Sequence, residues 1–286
     1  MSDSFIIKPD QRKPAEPVSR KVFVTGAAGN IGSYFSANSA DRYELTLMVQ
    51  RDSQAEMVEP YGQVVTGDLT DLEALKQHMA GMDTVVHLAA QPSPETLWED
   101  VLRDNIIGTY NAMVAAAAVD CRRLIYASSI HAVSGYDLDR QIQTDDPVNP
   151  GDLYGVSKCY GEAMGRFMAT QHGLEVMCIR IGAFHPLESA AGDDASLVNL
   201  FVSRRDLTQL IQRCIDDTTL LFGIFHGLSN NPFNRMNIAD GRELLGYEPE
   251  DDFAAEHPQL KDVKLSDRID PHSESGGQQS GIRKDL

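Results

Sequence analysis

The chain has 286 residues, 42% hydrophobic and 23% charged, the make-up of a globular protein with a sizeable core. Its net charge of −17 repels phosphate backbones and excludes nucleic acid as an expected partner. Four cysteines (Cys121, Cys159, Cys178, Cys214) show no C-x-x-C spacing and fit reduced, buried thiols of a cytoplasmic protein rather than a disulfide scaffold.

Residues 1–20 lack the basic-then-apolar order of a signal peptide and read as a flexible arm, and no apolar run reaches membrane-spanning length. Residues 21–24 (KVFV) form a buried strand, followed by a helix over 30–40 (NIGSYFSANSA). Strands follow at 43–49 (YELTLMV) and 62–67 (GQVVTG), then an amphipathic helix over 71–81 that stops at a glycine. A fourth strand covers 83–90 (DTVVHLAA), a long helix 95–118, and a fifth strand 122–129 (RRLIYASS). The next long helix runs from Asp152, a plausible cap, to His172, and leads into a sixth strand at 174–182 (LEVMCIRIG). Strand and helix in alternation mean a parallel sheet covered on both faces, with ligands at the carboxyl ends of its strands.

After Gly182 the alternation breaks. Helix, strand and helix at 203–216, 219–227 and 238–252 suggest a smaller cap. The expected organisation is an arm over 1–20, a nucleotide-binding domain over 21–182, a substrate lobe over 183–262 and a polar, Gly/Ser-rich tail over 263–286. The histidines are scattered, so no metal site is expected.

Gly26, Gly29 and Gly32 follow the first strand and open the first helix in a G-x-x-G-x-x-G spacing. Such glycines permit a tight turn and close approach of a pyrophosphate to the helix N-terminus. The second strand ends "LMVQRDS" without an acidic residue at its tip. Arg51 suits a 2′-phosphate and favours NADP, while Asp52 offers NAD a carboxylate instead. Tyr154 and Lys158, one helical turn apart, leave the same helix face. A free phenol has a pKa of ~10, and an adjacent ammonium with a positive nicotinamide would lower it toward a useful base.

Together, "TGAAGNIG", "GDLTD", "HLAA", "NIIGTYN", "YASS" and "YGVSK" resemble the short-chain dehydrogenase/reductase superfamily in its extended, epimerase/dehydratase branch, over residues 20–250. "SSIHAVSGY", "DLYGVSKCYGE", "FVSRRDL" and "LLGYEPEDD" resemble the uronate dehydrogenase-like sugar dehydrogenases within it. The resemblance implies a Rossmann-type doubly wound parallel sheet with a small C-terminal lobe. It implies Tyr154 as acid–base, Lys158 as its partner, Ser129 as the orienting hydroxyl and Asn105 as the residue of a helix distortion. Asn30 and Ile31 of the glycine loop, Asp68, Leu69, Leu88, Ala89, Ala90 and Ile181 are matched to the coenzyme. Gln91, Ile130, His131 and Ala183 are matched to the substrate.

Three positions depart from the uronate pattern: Ile130 replaces an Asn, Ala183 a small polar residue, and the clamp arginine has only the neighbourhood of Ser196 in its place. Without that arginine a sugar carboxylate loses a strong contact. The implied reaction is therefore oxidation at C1 of a neutral or C6-modified aldose to its lactone, with Arg204 or Arg205 as an alternative anion site. Epimerisation or dehydration of a nucleotide sugar, or a non-catalytic dinucleotide sensor, are the competing functions. Small residues on the two long helices (Ala115 to Ala118, Gly161, Gly165) allow either a homodimer or close packing within one copy.

Overall fold

The structure, a computed structural model, describes residues 3–8, 19–137, 139–188 and 195–260. Strands β1 (Phe5–Ile7) and β2 (Lys21–Thr25) lead to α1 (Asn30–Ala37), β3 (Glu44–Val49), β4 (Gln63–Thr66), α2 (Leu72–Met79) and β5 (Thr84–His87). A short α3 (Trp98–Asp100) passes through a π-helical segment (Val101–Ile107) into α4 (Gly108–Ala118). Then follow β6 (Arg123–Ser129), α5 (Leu153–His172), β7 (Glu175–Ile181), β8 (Ala183–His185), β9 (Phe201–Ser203), α6 (Arg204–Asp216), β10 (Leu220–Gly227), α7 (Ala239–Leu245) and α8 (Phe253–Glu256).

Eight strands form one sheet in the order β1-β10-β7-β6-β5-β2-β3-β4, parallel throughout except β1. The chain runs outward from β2 through β3 to β4, then returns to place β5 on the other side of β2. That reversal opens a crevice at the carboxyl ends of β2 and β5. Alternate residues feed two cores: Val22 and Val24 face the layer of α1 and α6, while Phe23 faces that of α2, α4 and α5. Burial on both faces explains why the strands are near-continuous apolar runs.

Three expectations change. The strand expected in the cap is β10, which lies in the main sheet with Phe222 beside Val176 and Gly227 beside Ile181. An eight-residue run apolar on both faces needs cover on both sides, which the main sheet supplies and a thin cap does not. The N-terminal arm contributes β1, antiparallel to β10, with Phe5 against Phe225 at 5.3 Å and Ser4 Oγ donating to the Thr144 carbonyl at 2.6 Å. It covers a sheet edge that would otherwise be open. The helix expected over 95–118 begins at Trp98 and widens into the π segment, which contains Asn105.

Gly161 and Gly165 face the sheet: a Cβ at Gly161 would lie 2.1 Å from Tyr126 Cζ, and one at Gly165 2.8 Å from Val176. The small residues of α5 thus serve packing within the chain. Residues 261–286, including the expected tail, lie outside the described residues.

Candidate active site

The crevice beside β2 is a cleft of about 290 Å³, lined by Gly26, Gly29, Asp68, Leu69, Ala89, Ala90 and Gln91 among others. Gly26 has φ +68°, and a Cβ there would lie 2.8 Å from the Ala89 amide nitrogen. One at Gly32 would lie 2.3 Å from the Gly26 carbonyl oxygen. Both contacts are with backbone, which cannot swing aside, so positions 26 and 32 tolerate only glycine, and the turn leaves main-chain N–H groups at the mouth of α1. Asn30 and Ile31 form the first turn of α1, which carries no acidic side chain. This cradle suits an anionic diphosphate. Thr25 supports the opposite wall: its Oγ1 accepts from the Ala89 amide at 3.2 Å and bonds His87 Nδ1 at 2.8 Å. Burial, with the Lys158 charge nearby, pulls His87 down to about 3, so it is a neutral strut. Leu88, half-buried, packs against the neighbouring core.

At the tip of β3, Gln50 and Gln54 line the cleft, whereas Arg51 is exposed and outside the lining. The Arg51 backbone N–H donates to Gln54 Oε1 at 3.0 Å, and Asp52 accepts from the Thr66 hydroxyl. Neither charged candidate for coenzyme choice reaches the cleft wall; two neutral amides do. Asp68 accepts from the Thr70 amide and hydroxyl and so shapes the turn after β4.

Ser129, Tyr154, Lys158 and Asn105 are all buried. Sheet register sets Ser129 beside Ile181, which lies beside Gly227. Asp152 caps α5 through a 2.7 Å bond from the Gly155 amide, which places Tyr154 in the helix's first turn. Lys158 Nζ lies 5.4 Å from the centre of the Tyr154 ring and donates to the Ala127 carbonyl at 2.8 Å. Asn105, in the π segment, accepts from the Gln91 amide at 2.8 Å and donates to the Gln91 carbonyl and to Ser157 Oγ. It therefore ties the cleft wall to α5, a use of a π-bulge at a site of close packing.

The phenol is not lowered by its neighbour as expected. Burial pushes Tyr154 up to about 12, the Ser129 hydroxyl bond opposes the rise, and the Asp152 carboxylate adds to it. Burial also pulls Lys158 down to about 7, so near neutral pH it is only a partial cation.

On the substrate side, His131 Nδ1 bonds Asp152 Oδ2 at 2.6 Å, and its ring meets Tyr154 edge-on at 5.3 Å. Ala183 opens β8, its amide donating to the Leu200 carbonyl at 2.8 Å. The Gln91 side chain donates to Asp104 at 2.6 Å. Ile130 packs against the lobe cluster of Val133, Ile142, Leu228, Met236 and Ile238. Arg205 is paired with Glu250 and Asp251, and Arg204 lies over the Tyr34 ring. The Ser196 side chain lies outside the described side chains. Among the described residues no group of three or more His, Cys, Asp or Glu is placed to hold a metal, and no helix is long and apolar enough to cross a membrane.

Sequence reasoning missed the buried cluster behind the site. Glu162 holds Arg180 through two 2.9 Å bonds and accepts from Ser128 Oγ at 2.6 Å. The i+4 spacing from Lys158 to Glu162 was the available signal, since it puts both on one helix face.

A Haloferax volcanii protein described as an NAD-dependent glucose-6-phosphate dehydrogenase is 32% identical over 83% of this chain and 95% of its own. An L-arabinose 1-dehydrogenase (NAD(P)(+)) from the same organism is 31% identical over 82% and 98%. The crystal structure of a glucuronic acid dehydrogenase from Chromohalobacter salexigens superposes with a TM-score of 0.80 at 28% identity, covering 92% of this chain and 96% of that one. The model of the NAD dependent epimerase/dehydratase family matches residues 22–209, from β2 into α6, and the chain belongs to that family.

Proposed function

We propose that the protein is an NAD(P)-dependent sugar dehydrogenase that oxidises C1 of a free or simply substituted aldose, neutral or modified at C6, to the lactone. The observation that carries this reading is the convergence of Ser129, Tyr154 and Lys158 behind the wall of a glycine-lined nucleotide cleft, joined to it by the Asn105–Gln91 bonds. The relatives named above, each described as a sugar dehydrogenase, support it.

In this reading the Ser129 hydroxyl holds the sugar oxygen, and the Tyr154 phenolate takes its proton. A bound oxidised nicotinamide supplies the hydride acceptor and a positive charge that favours the phenolate. Lys158, held by the Ala127 carbonyl, would donate to the coenzyme ribose, and the proton that Tyr154 takes from the sugar hydroxyl would pass to solvent before the next turnover. Gln50 and Gln54 neither repel nor neutralise a 2′-phosphate, which supports use of both NAD and NADP. With Arg205 already neutralised, a neutral aldose fits better than a uronate.

The test is a panel of aldoses, uronates and sugar phosphates with each coenzyme, read at the reduced-nicotinamide absorbance. Turnover of an aldose is expected, with kcat/KM for the two coenzymes within roughly tenfold of each other. Silence across the panel, with coenzyme still bound, would overturn the reading.

A homodimer is proposed on the outer face of the π segment, α4 and α5. Ile107, Tyr110, Val156 and Phe167 there are each at least 40% exposed. Light scattering is expected to give twice the chain mass, and Tyr110→Asp with Phe167→Asp to halve it.

A further inference from the structure

The Asp152 carboxylate does two things at once. Oδ1 accepts from the Gly155 amide at 2.7 Å and caps α5. Oδ2 bonds His131 Nδ1 at 2.6 Å. His131 in turn donates its backbone N–H to Ser129 Oγ at 3.2 Å and sets its ring edge against Tyr154. The two segments are pressed together here: a Cβ at Gly155 would lie 2.2 Å from the His131 carbonyl oxygen. One carboxylate thus joins the chain segment that carries Ser129 to the helix that carries Tyr154.

The cap does not need a carboxylate, because Asn and Ser cap as well as Asp. The bond to His131 does. An ionised carboxylate only accepts hydrogen bonds, so it holds the imidazole proton on Nδ1. In the neutral ring Nε2 is then an acceptor.

We infer that Asp152 is a positioning residue that locks His131 in the Nδ1–H tautomer and thereby sets how the imidazole meets the sugar beside Ser129 and Tyr154. The inference rests on the sugar-oxidising function proposed above. Asparagine at 152 keeps the capping carbonyl but turns an NH2 toward the ring. The ring must then accept at Nδ1 and carry its proton on Nε2.

The experiment uses the full chain labelled with 15N-histidine, as wild type, Asp152→Asn, Asp152→Ser, His131→Ala and the Asp152→Asn/His131→Ala double variant. Nitrogen–proton correlation spectra, recorded over a rising pH series until the neutral ring is observed, assign His131 by its loss in the alanine variant. The wild type is expected as Nδ1–H and the asparagine variant as Nε2–H. A wild-type Nε2–H ring, or one unchanged by asparagine, overturns the inference. In turnover, Asp152→Asn is expected to lose roughly 10²-fold in kcat/KM for the sugar, with NADH affinity and Tm held. The double variant is expected to be no worse than His131→Ala alone. An asparagine variant as active as wild type, or losses that multiply in the double variant, overturns it. Asp152→Ser, which also keeps a cap, repeats the turnover comparison if the asparagine variant folds poorly. The spectra need no substrate, so a chain that oxidises no sugar fails the functional reading while the tautomer still decides this one.

Discussion

Replacing Tyr154 with phenylalanine is expected to lower kcat by about 10²–10⁴-fold, the usual contribution of a positioned acid–base. NADH affinity should stay within twofold, because the cleft walls are untouched. The ring itself keeps its edge contact with His131 and its place in the first turn of α5. Only the phenolic oxygen and its bond with Ser129 are lost, so Tm should move by no more than a few degrees. Two pH profiles sharpen the test. The folded phenol is raised to about 12, above an unfolded value of ~10, so its contribution to stability is full below pH ~10. It is lost as pH rises through the folded value, and the phenylalanine variant does not share that loss. In catalysis the same raised phenol makes log(kcat/KM) climb with pH on the alkaline side of 7, a climb that disappears with the oxygen. A variant that turns over normally would remove Tyr154 from the chemistry.

Lys158→Met is expected to cost at least ~10²-fold in kcat while making the protein harder to unfold. The ammonium is fully enclosed, and burial alone pulls it down to about 7. Among the described residues it donates to one carbonyl, that of Ala127. Unfolded lysine titrates at ~10.4, so the unfolded chain binds the proton more tightly than the folded one. Stability conferred by the wild-type lysine therefore rises with pH between about 7 and ~10.4 and is lowest below 7. Methionine fills a similar volume without that penalty, at the smaller cost of leaving the Ala127 carbonyl short of a donor, about 1 kcal/mol. Tm of the methionine variant should exceed wild type by several degrees at pH 6, and the gap should close as the pH approaches 10. A lower Tm at pH 6 would mean that the lysine stabilises the fold rather than strains it.

Much of the sheet could be read from the chain because strands buried on both faces carry apolar runs, as at Val22–Val24 and Val85–Val86, punctuated by glycine or polar turns. The same property hid the placement of β10. An apolar run announces a doubly covered strand without saying which sheet covers it, and its partner β1 is three residues long, too short for any periodicity. The π segment keeps the apolar spacing of an ordinary helix, so only the resemblance around Asn105 pointed to a distortion. The Tyr154–Lys158 spacing is local and survives in the sequence. The bond between His131 and Asp152 joins residues 21 apart and leaves no local trace. Electrostatics were the least legible part, because burial reverses what adjacency predicts: the phenol goes up and the ammonium goes down. Arg51 shows the same limit, since its charge is evident in the sequence but its place outside the cleft lining, between Gln50 and Gln54, is not.

The pairing of Phe5 with Gly223 gives the polypeptide an order of completion. β1 has no strand partner until more than two hundred further residues have been made, and it pairs with the strand that lies next to β7. Contacts of such long sequence separation form late and slowly. Assembly should therefore leave the sheet edge beside β10 exposed to other chains until β1 docks on it.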